Sequence, residues 1–140
     1  TPGEPSIRLQ SVVGGGAPCN FTHMDPNQRH LVYWLGDTRK NIPTVYEKAS
    51  PEAHVSADDP PMFFYHGEGD RIVRVQSPES MCSTLREAGV EAEIYTIAGA
   101  GHLAAARDKI SIRKAIDFLD RTLKNKNNFS SEKAAAEDDG

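Results

Sequence analysis

At 140 residues, 38% of them hydrophobic and 26% charged, the chain has the length of a single domain and enough apolar content to enclose a core. A net charge of −4 without a long Lys/Arg block leaves no footprint for a phosphate backbone. No apolar run reaches the length of a membrane span, so neither nucleic acid nor a membrane is an expected partner. The N-terminus shows no signal-peptide pattern; the sequence starts at Thr1 rather than Met, which leaves a processed or truncated upstream segment, and the compartment, open.

Residues Thr1 to Pro5 read as an extended lead-in. From Ile7 to Val13 apolar positions alternate as in a strand, and Gly14-Gly15-Gly16 is expected to stop it in a tight turn. That triplet lacks the spacing and the lysine of a phosphate-binding loop. From Ala17 to Ser56 four prolines cut the chain into short pieces. Asp25-Pro26 predicts a small helix carrying Leu31, Trp34 and Leu35 on one face and ending at Gly36. Asn41 is expected to cap a second one through Val45 and Lys48. His23, His30 and His54 fall here without metal-ligand spacing and read as surface or cap histidines. Cys19 and Cys82 fit no metal spacing either; two reduced thiols in apolar surroundings are expected, with one disulfide as the alternative.

Met62-Phe63-Phe64-Tyr65 is four large apolar residues without alternation, the pattern of a strand covered on both faces. Ser77-Pro78 starts a helix with Met81, Leu85 and Ala88 on one face and Gly89 as its stop. Val90 to Ile97 alternates and predicts a strand near a sheet edge. A last helix is expected to bury Ile112, Ile116, Leu119 and Leu123. Residues 125–140 are polar without core-forming periodicity and read as a disordered tail, leaving residues 1–124 as the folded unit. The order predicts an α/β fold of about three parallel strands with helix crossovers and a small helical cap-like insertion.

In parallel sheets ligands bind beyond the carboxyl ends of the strands. Asp70 lies five residues past Tyr65 and His102 five past Ile97, so both should reach the same edge. A carboxylate bonded to one imidazole nitrogen fixes the tautomer and steadies the imidazolium formed when the other takes a proton. Taken singly, such an Asp reads as a turn residue and such a His as structural; it is the pairing at matching strand ends that points to chemistry.

The ordered motifs Ala49-Ser50-Pro51, Val55-Ser56 to Pro60-Pro61, His66-Gly67-Glu68-Gly69-Asp70-Arg71-Ile72-Val73, Gln76-Ser77, Ala88-Gly89-Val90 and Gly99-Ala100-Gly101-His102 resemble the C-terminal part of an α/β-hydrolase. The similarity is greatest to carboxylesterase and lipase-like enzymes related to prolyl oligopeptidases, including bacterial feruloyl or acetyl esterase-like proteins, and runs from about Leu9 to Leu123. It implies a serine hydrolase acting on a small-molecule ester without cofactor or metal, with Asp70 as triad acid and His102 as triad base.

The chain also departs from that pattern. The fold carries its nucleophile on a Gly-x-Ser-x-Gly elbow upstream of the first strand seen here, and residues 1–140 contain no such elbow. Ser77, Ser80 and Ser83 lie on or beside a helix. The upstream oxyanion-hole loop is missing too. Arg74 stands where the family often has proline, and Leu103 where a small residue commonly follows the histidine. The implied function is therefore the acid–base part of an esterase whose serine lies outside this chain, with little or no turnover alone. The alternative is a truncated, non-catalytic hydrolase-like domain that binds a ligand or a protein. An open edge at the Ile7 to Val13 strand predicts self-association or a complementary N-terminal segment.

Overall fold

Four large apolar residues in a row need cover on both sides, and the chain provides it. The structure, a computed structural model, describes residues 8 to 137, with side chains described for 8 to 124. Strand β2 (Met62–Gly67) is the centre of a three-stranded parallel sheet ordered β1-β2-β3, between β1 (Val12–Gly15) and β3 (Ala92–Ile97). Val12 pairs with Met62, and Met62 with Ala92.

Alternation along β2 sends successive side chains to opposite layers. Phe64 enters a cluster with Met81, Cys82 and Leu85 of helix α3 (Gln76–Glu87), together with Cys19, Val90 and Ala92. Phe63 turns to the other face, against Ala115 and Phe118 of helix α5 (Lys109–Glu137), its ring 5.6 Å from that of Phe118. Each such side chain, fully buried, is worth about 1.5–3 kcal/mol. Both cysteines are free and buried, as expected; burial pushes the Cys19 thiol up to about 12 and the Cys82 thiol up to about 11.

The glycines that were expected to end the first strand are part of it. Gly14 and Gly15 pair with Phe64 and Tyr65, and the strand ends at Gly15, before Gly16 with φ +62°. A Cβ on Gly14 would sit 2.9 Å from the Phe64 ring, and one on Gly15 2.2 Å from the Tyr65 ring. The glycines thus let the aromatic side chains of β2 lie across β1. Ile7 is outside the described residues.

Between β1 and β2 the two small helices are present, each shifted. Helix α1 (Arg29–Leu35) begins after Gln28; Asp25 instead accepts the Asn27 N–H at 2.8 Å in a turn. Gly36 ends it in the left-handed region, and Trp34 is 67% exposed, standing edge-on to Phe21 rather than facing inward with Leu31. Helix α2 (Pro43–Ala49) starts on its proline, while Asn41 donates to Asp37. Phe21, Met24, Leu31, Tyr46 and Val73 form the core beneath this insertion. Two buried hydroxyls tie it down: Ser77 Oγ accepts the N–H groups of Cys19 and Asn20, and Ser50 Oγ accepts that of Phe21.

The last helix buries a different face from the one expected. Ser111, Ala115, Phe118 and Thr122 point inward, while Ile112, Ile116 and Leu123 are 44%, 54% and 38% exposed. The two stripes are offset by one residue and share one periodicity, so the pattern cannot choose between them. The small side chains of Ser111 and Ala115 allow close approach to the sheet, and Thr122 bonds to the Phe118 carbonyl and to Ser11 Oγ. The helix also continues through Glu137, into the run read as a disordered tail; propagating an established helix costs little once its first turn exists. Residues 138–140 lie outside the described residues.

Phe118→Ala is expected to lower stability by about 3–5 kcal/mol, whereas Ile116→Ala should change it by less than about 0.5 kcal/mol. Urea unfolding of the two variants checks this, and the reverse order would mean that the other stripe is buried.

Candidate active site

The site is built where β2 and β3 end side by side. Past β2 the chain turns through Glu68 and Gly69 to Asp70; past β3 it turns through Ala98 to Gly101, with Gly99 at φ +69°. The turns clasp each other: the Glu68 N–H donates to the Ile97 carbonyl at 3.1 Å and the Gly69 N–H to the Ala100 carbonyl at 2.9 Å. A Cβ on Gly67 would lie 2.2 Å from the Ala100 carbonyl oxygen, so a side chain there would force the loops apart. His102 follows as the first residue of the short helix α4 (His102–Ala105).

The structure brings the two sequence-predicted residues together. His102 Nδ1 is 2.7 Å from Asp70 Oδ2. The Asp70 side chain is fully enclosed, while that of His102 is 32% exposed. Asp70 Oδ1 accepts the N–H groups of Ile72 at 2.8 Å and Val73 at 3.0 Å. Burial by itself raises this carboxyl; the Val73 N–H, the His102 ring and the Ile72 N–H outweigh it and hold the group below the usual carboxylate range. Among the described residues His102 Nε2 has no hydrogen-bond partner. Gly16 backs the ring, since a Cβ there would be 2.9 Å from His102 Cε1.

Sequence reasoning missed a second imidazole. His66, fully buried in β2, has Nε2 2.8 Å from the Val73 carbonyl and 3.2 Å from Asp70 Oδ2. As a donor at Nε2 it leaves Nδ1 without a partner among the described residues. The signal in the sequence was a polar residue inside an otherwise apolar strand, four before the acid.

The remaining candidates lie elsewhere. Ser77 is spent on the backbone of Cys19 and Asn20, Ser80 donates to Glu52, and Ser83 to Glu87. No serine of the described residues bonds to His102. His23, His30 and His54 are exposed, the last with Nε2 on the Lys48 carbonyl. No three His, Cys, Asp or Glu side chains among the described residues are grouped to hold a metal.

Comparison with known proteins places the chain in a family. The profile of the prolyl oligopeptidase family matches residues 18–126. The chain belongs to the prolyl oligopeptidase family. Over 50 residues it is 40% identical to the probable carboxylic ester hydrolase LipM of Mycobacterium tuberculosis, a match covering 36% of this chain and 12% of that protein. Among solved structures, a truncated carbohydrate esterase from gut microbiota superposes with a TM-score of 0.73 at 22% identity, over 81% of this chain and 42% of that one. A propionate-bound esterase from Thermogutta terrifontis gives 0.61 at 20% identity, over 86% and 46%. The three parallel strands with their helices are thus part of an α/β-hydrolase fold. This family member spans less than half of either esterase structure.

Among the described residues of this prolyl oligopeptidase-family chain three carboxyls are held low: Asp70, Glu52 and Asp108. Burial raises Glu52, but hydrogen bonds from Ser80, Asn20 and Thr84 outweigh it; Asp108 is lowered by the backbone and hydroxyl of Ser111. A carboxyl depressed by folding adds stability that is present above its unfolded value of about 3.9–4.3 and lost as pH falls through the folded value. Stability should therefore be level from neutrality to about pH 5 and decline below it. Urea midpoints across that range should show a shallower acid-side decline in Asp70→Asn; an unchanged slope would remove Asp70 from the titration.

Proposed function

We propose that this chain supplies the general base and its orienting acid, His102 and Asp70, for carboxylic ester hydrolysis, with the serine nucleophile coming from outside residues 1–140. The observation that carries the reading is the 2.7 Å contact between an enclosed carboxylate and a partly exposed imidazole whose Nε2 is unpartnered. Family membership and the carboxylic ester hydrolase and esterase descriptions of its relatives support it.

In the mechanism, Asp70 accepts the Nδ1 proton of His102 and thereby presents Nε2 as a lone pair. His102 Nε2 takes the proton of the serine hydroxyl as its oxygen attacks the ester carbonyl, and returns it to the departing alcohol. A water then repeats the sequence on the acyl-enzyme. Asp70 remains a carboxylate throughout and stabilises the imidazolium. The oxyanion donors, like the serine, belong to the completing segment.

That segment is the partner the fold favours. β1 pairs only with β2, so its outer edge is open among the described residues. Ile110, Ile112 and Ile116 leave apolar surface on α5. A strand of the completing segment against β1 would extend the sheet over this face.

The test uses 4-nitrophenyl acetate and a fluorophosphonate label. The chain alone should show no turnover above background and no labelled serine. In a longer form carrying the upstream serine, Asp70→Asn and His102→Ala should each lower kcat by about 10³–10⁴-fold. Full activity in either variant, or a labelled serine within residues 1–140, would overturn the assignment. Ligand binding that both substitutions leave intact, without turnover in any form, would favour a binding module.

A further inference from the structure

Beside the acid's loop lies a cleft of about 470 Å³ whose lining includes Asp25, Arg29, His30, Arg71, Ile72 and Arg74. The arginines come from two distant parts of the sequence, and their meeting is enforced from below. Asp70 accepts the Ile72 and Val73 N–H groups and so curls residues 70–73 into a tight turn. Val73 then drops into the buried cluster that also holds Met24 and Leu31, which fixes the turn against α1. Arg71, Ile72 and Arg74 are left outward, facing Arg29 and His30 across the cleft.

The charge balance of this cleft is unusual for a chain of net charge −4. Elsewhere four guanidinium groups find acceptors, Arg8 pairing with Asp58, Arg121 with Glu91 and Glu93, Arg39 bonding to the Met24 carbonyl and Arg86 to that of Ala92, while Arg107 and Arg113, outside the cleft, have none among the described residues. Arg29, Arg71 and Arg74 have no such partner among the described residues, and Asp25 forms no ion pair with them while its Oδ1 holds the Asn27 N–H. Like charges gathered around a concave surface raise the local concentration of anions. A guanidinium also presents a planar fork that matches a carboxylate or phosphate in bidentate fashion. Ile72, 55% exposed, adds an apolar wall for the body of the bound molecule.

The geometry points to a subsite for a negatively charged group of the substrate, so that the ester presented to His102 belongs to an acidic molecule bearing a carboxylate or a phosphate. This rests on the ester-hydrolase reading above and adds the substrate class to it. Arg71 directly follows Asp70, whose carboxylate holds the His102 ring, so the cleft adjoins the turn that carries the acid.

The test is NMR titration of the 140-residue chain with monomethyl succinate, an acidic ester, against dimethyl succinate, its neutral counterpart. Methyl phosphate serves as the third arm. The acidic ester or the phosphate should bind saturably, shifting the guanidinium signals of Arg71 and Arg74 and the ring signals of His102; the tighter of the two names the anion. Arg71→Gln with Arg74→Gln should weaken that binding about tenfold or more, while Lys40→Gln, at a residue that does not line the cleft, should leave it unchanged. Three results would overturn the subsite: no saturation by either anion, equal binding of the neutral diester, or binding that leaves His102 unmoved. Binding is read without turnover, so a failed esterase assay and a failed anion subsite are separate results.

Discussion

The enclosed carboxylate of Asp70 sets the terms for the structure around it. An ionised group out of water is tolerated only when its lone pairs meet donors, and the chain bends to bring them. Residues 71 to 73 fold back so that two backbone N–H groups reach Oδ1, and the β3 loop delivers the ring of His102 to Oδ2. His66 closes the remaining side of Oδ2 while holding the Val73 carbonyl. One charge thereby organises the end of β2, the turn after it and the start of α4. Removing it would leave several buried donors with nothing to accept them.

The insertion between β1 and β2 is organised by smaller means. Its chain passes over the start of α3, where the Ser77 hydroxyl accepts two successive N–H groups, and Ser50 takes the next. Glu52 adds a second layer of contacts, bonding to Asn20, Ser80 and Thr84. These are the serines and the acid a search for a nucleophile would first notice, and they hold the insertion to the sheet. Because the Asp70 turn is anchored in the insertion's core through Val73, the acid's position and the cleft beside it depend on the same packing.

Much of this was legible in the residues themselves. The unalternated run at Met62 predicted a strand covered twice, and the matching offsets of Asp70 and His102 predicted their meeting at one edge. The family's motif order pointed to the same fold. What escaped was whatever depended on the third dimension. Gly14 and Gly15 look like a strand stop until the Phe64 and Tyr65 rings above them are known. The two stripes of α5 have equal periodicity, and only the closeness of the sheet selects Ser111 and Ala115. The place of His66 beside the acid escaped because its partner, the Val73 carbonyl, comes from a turn that the Asp70 carboxylate itself creates. The arginines of α1 and of the 71–74 turn lie too far apart in sequence to be read as one group.

The clasp between the Glu68-Gly69 turn and the Ala98 to Gly101 turn has a consequence for how such a chain can vary. Each loop is measured against the other by backbone groups, Glu68 to Ile97 and Gly69 to Ala100, which a side-chain substitution does not remove. A residue inserted into either turn would throw both out of register at once. The crossover through α3 carries no such gauge, since it meets the sheet through side chains alone at Met81, Cys82 and Leu85. Changes of length are therefore admissible between the acid and the second strand and inadmissible in the few residues that follow each strand, so the spacing of strand end to acid and strand end to base is the part of this chain least free to drift.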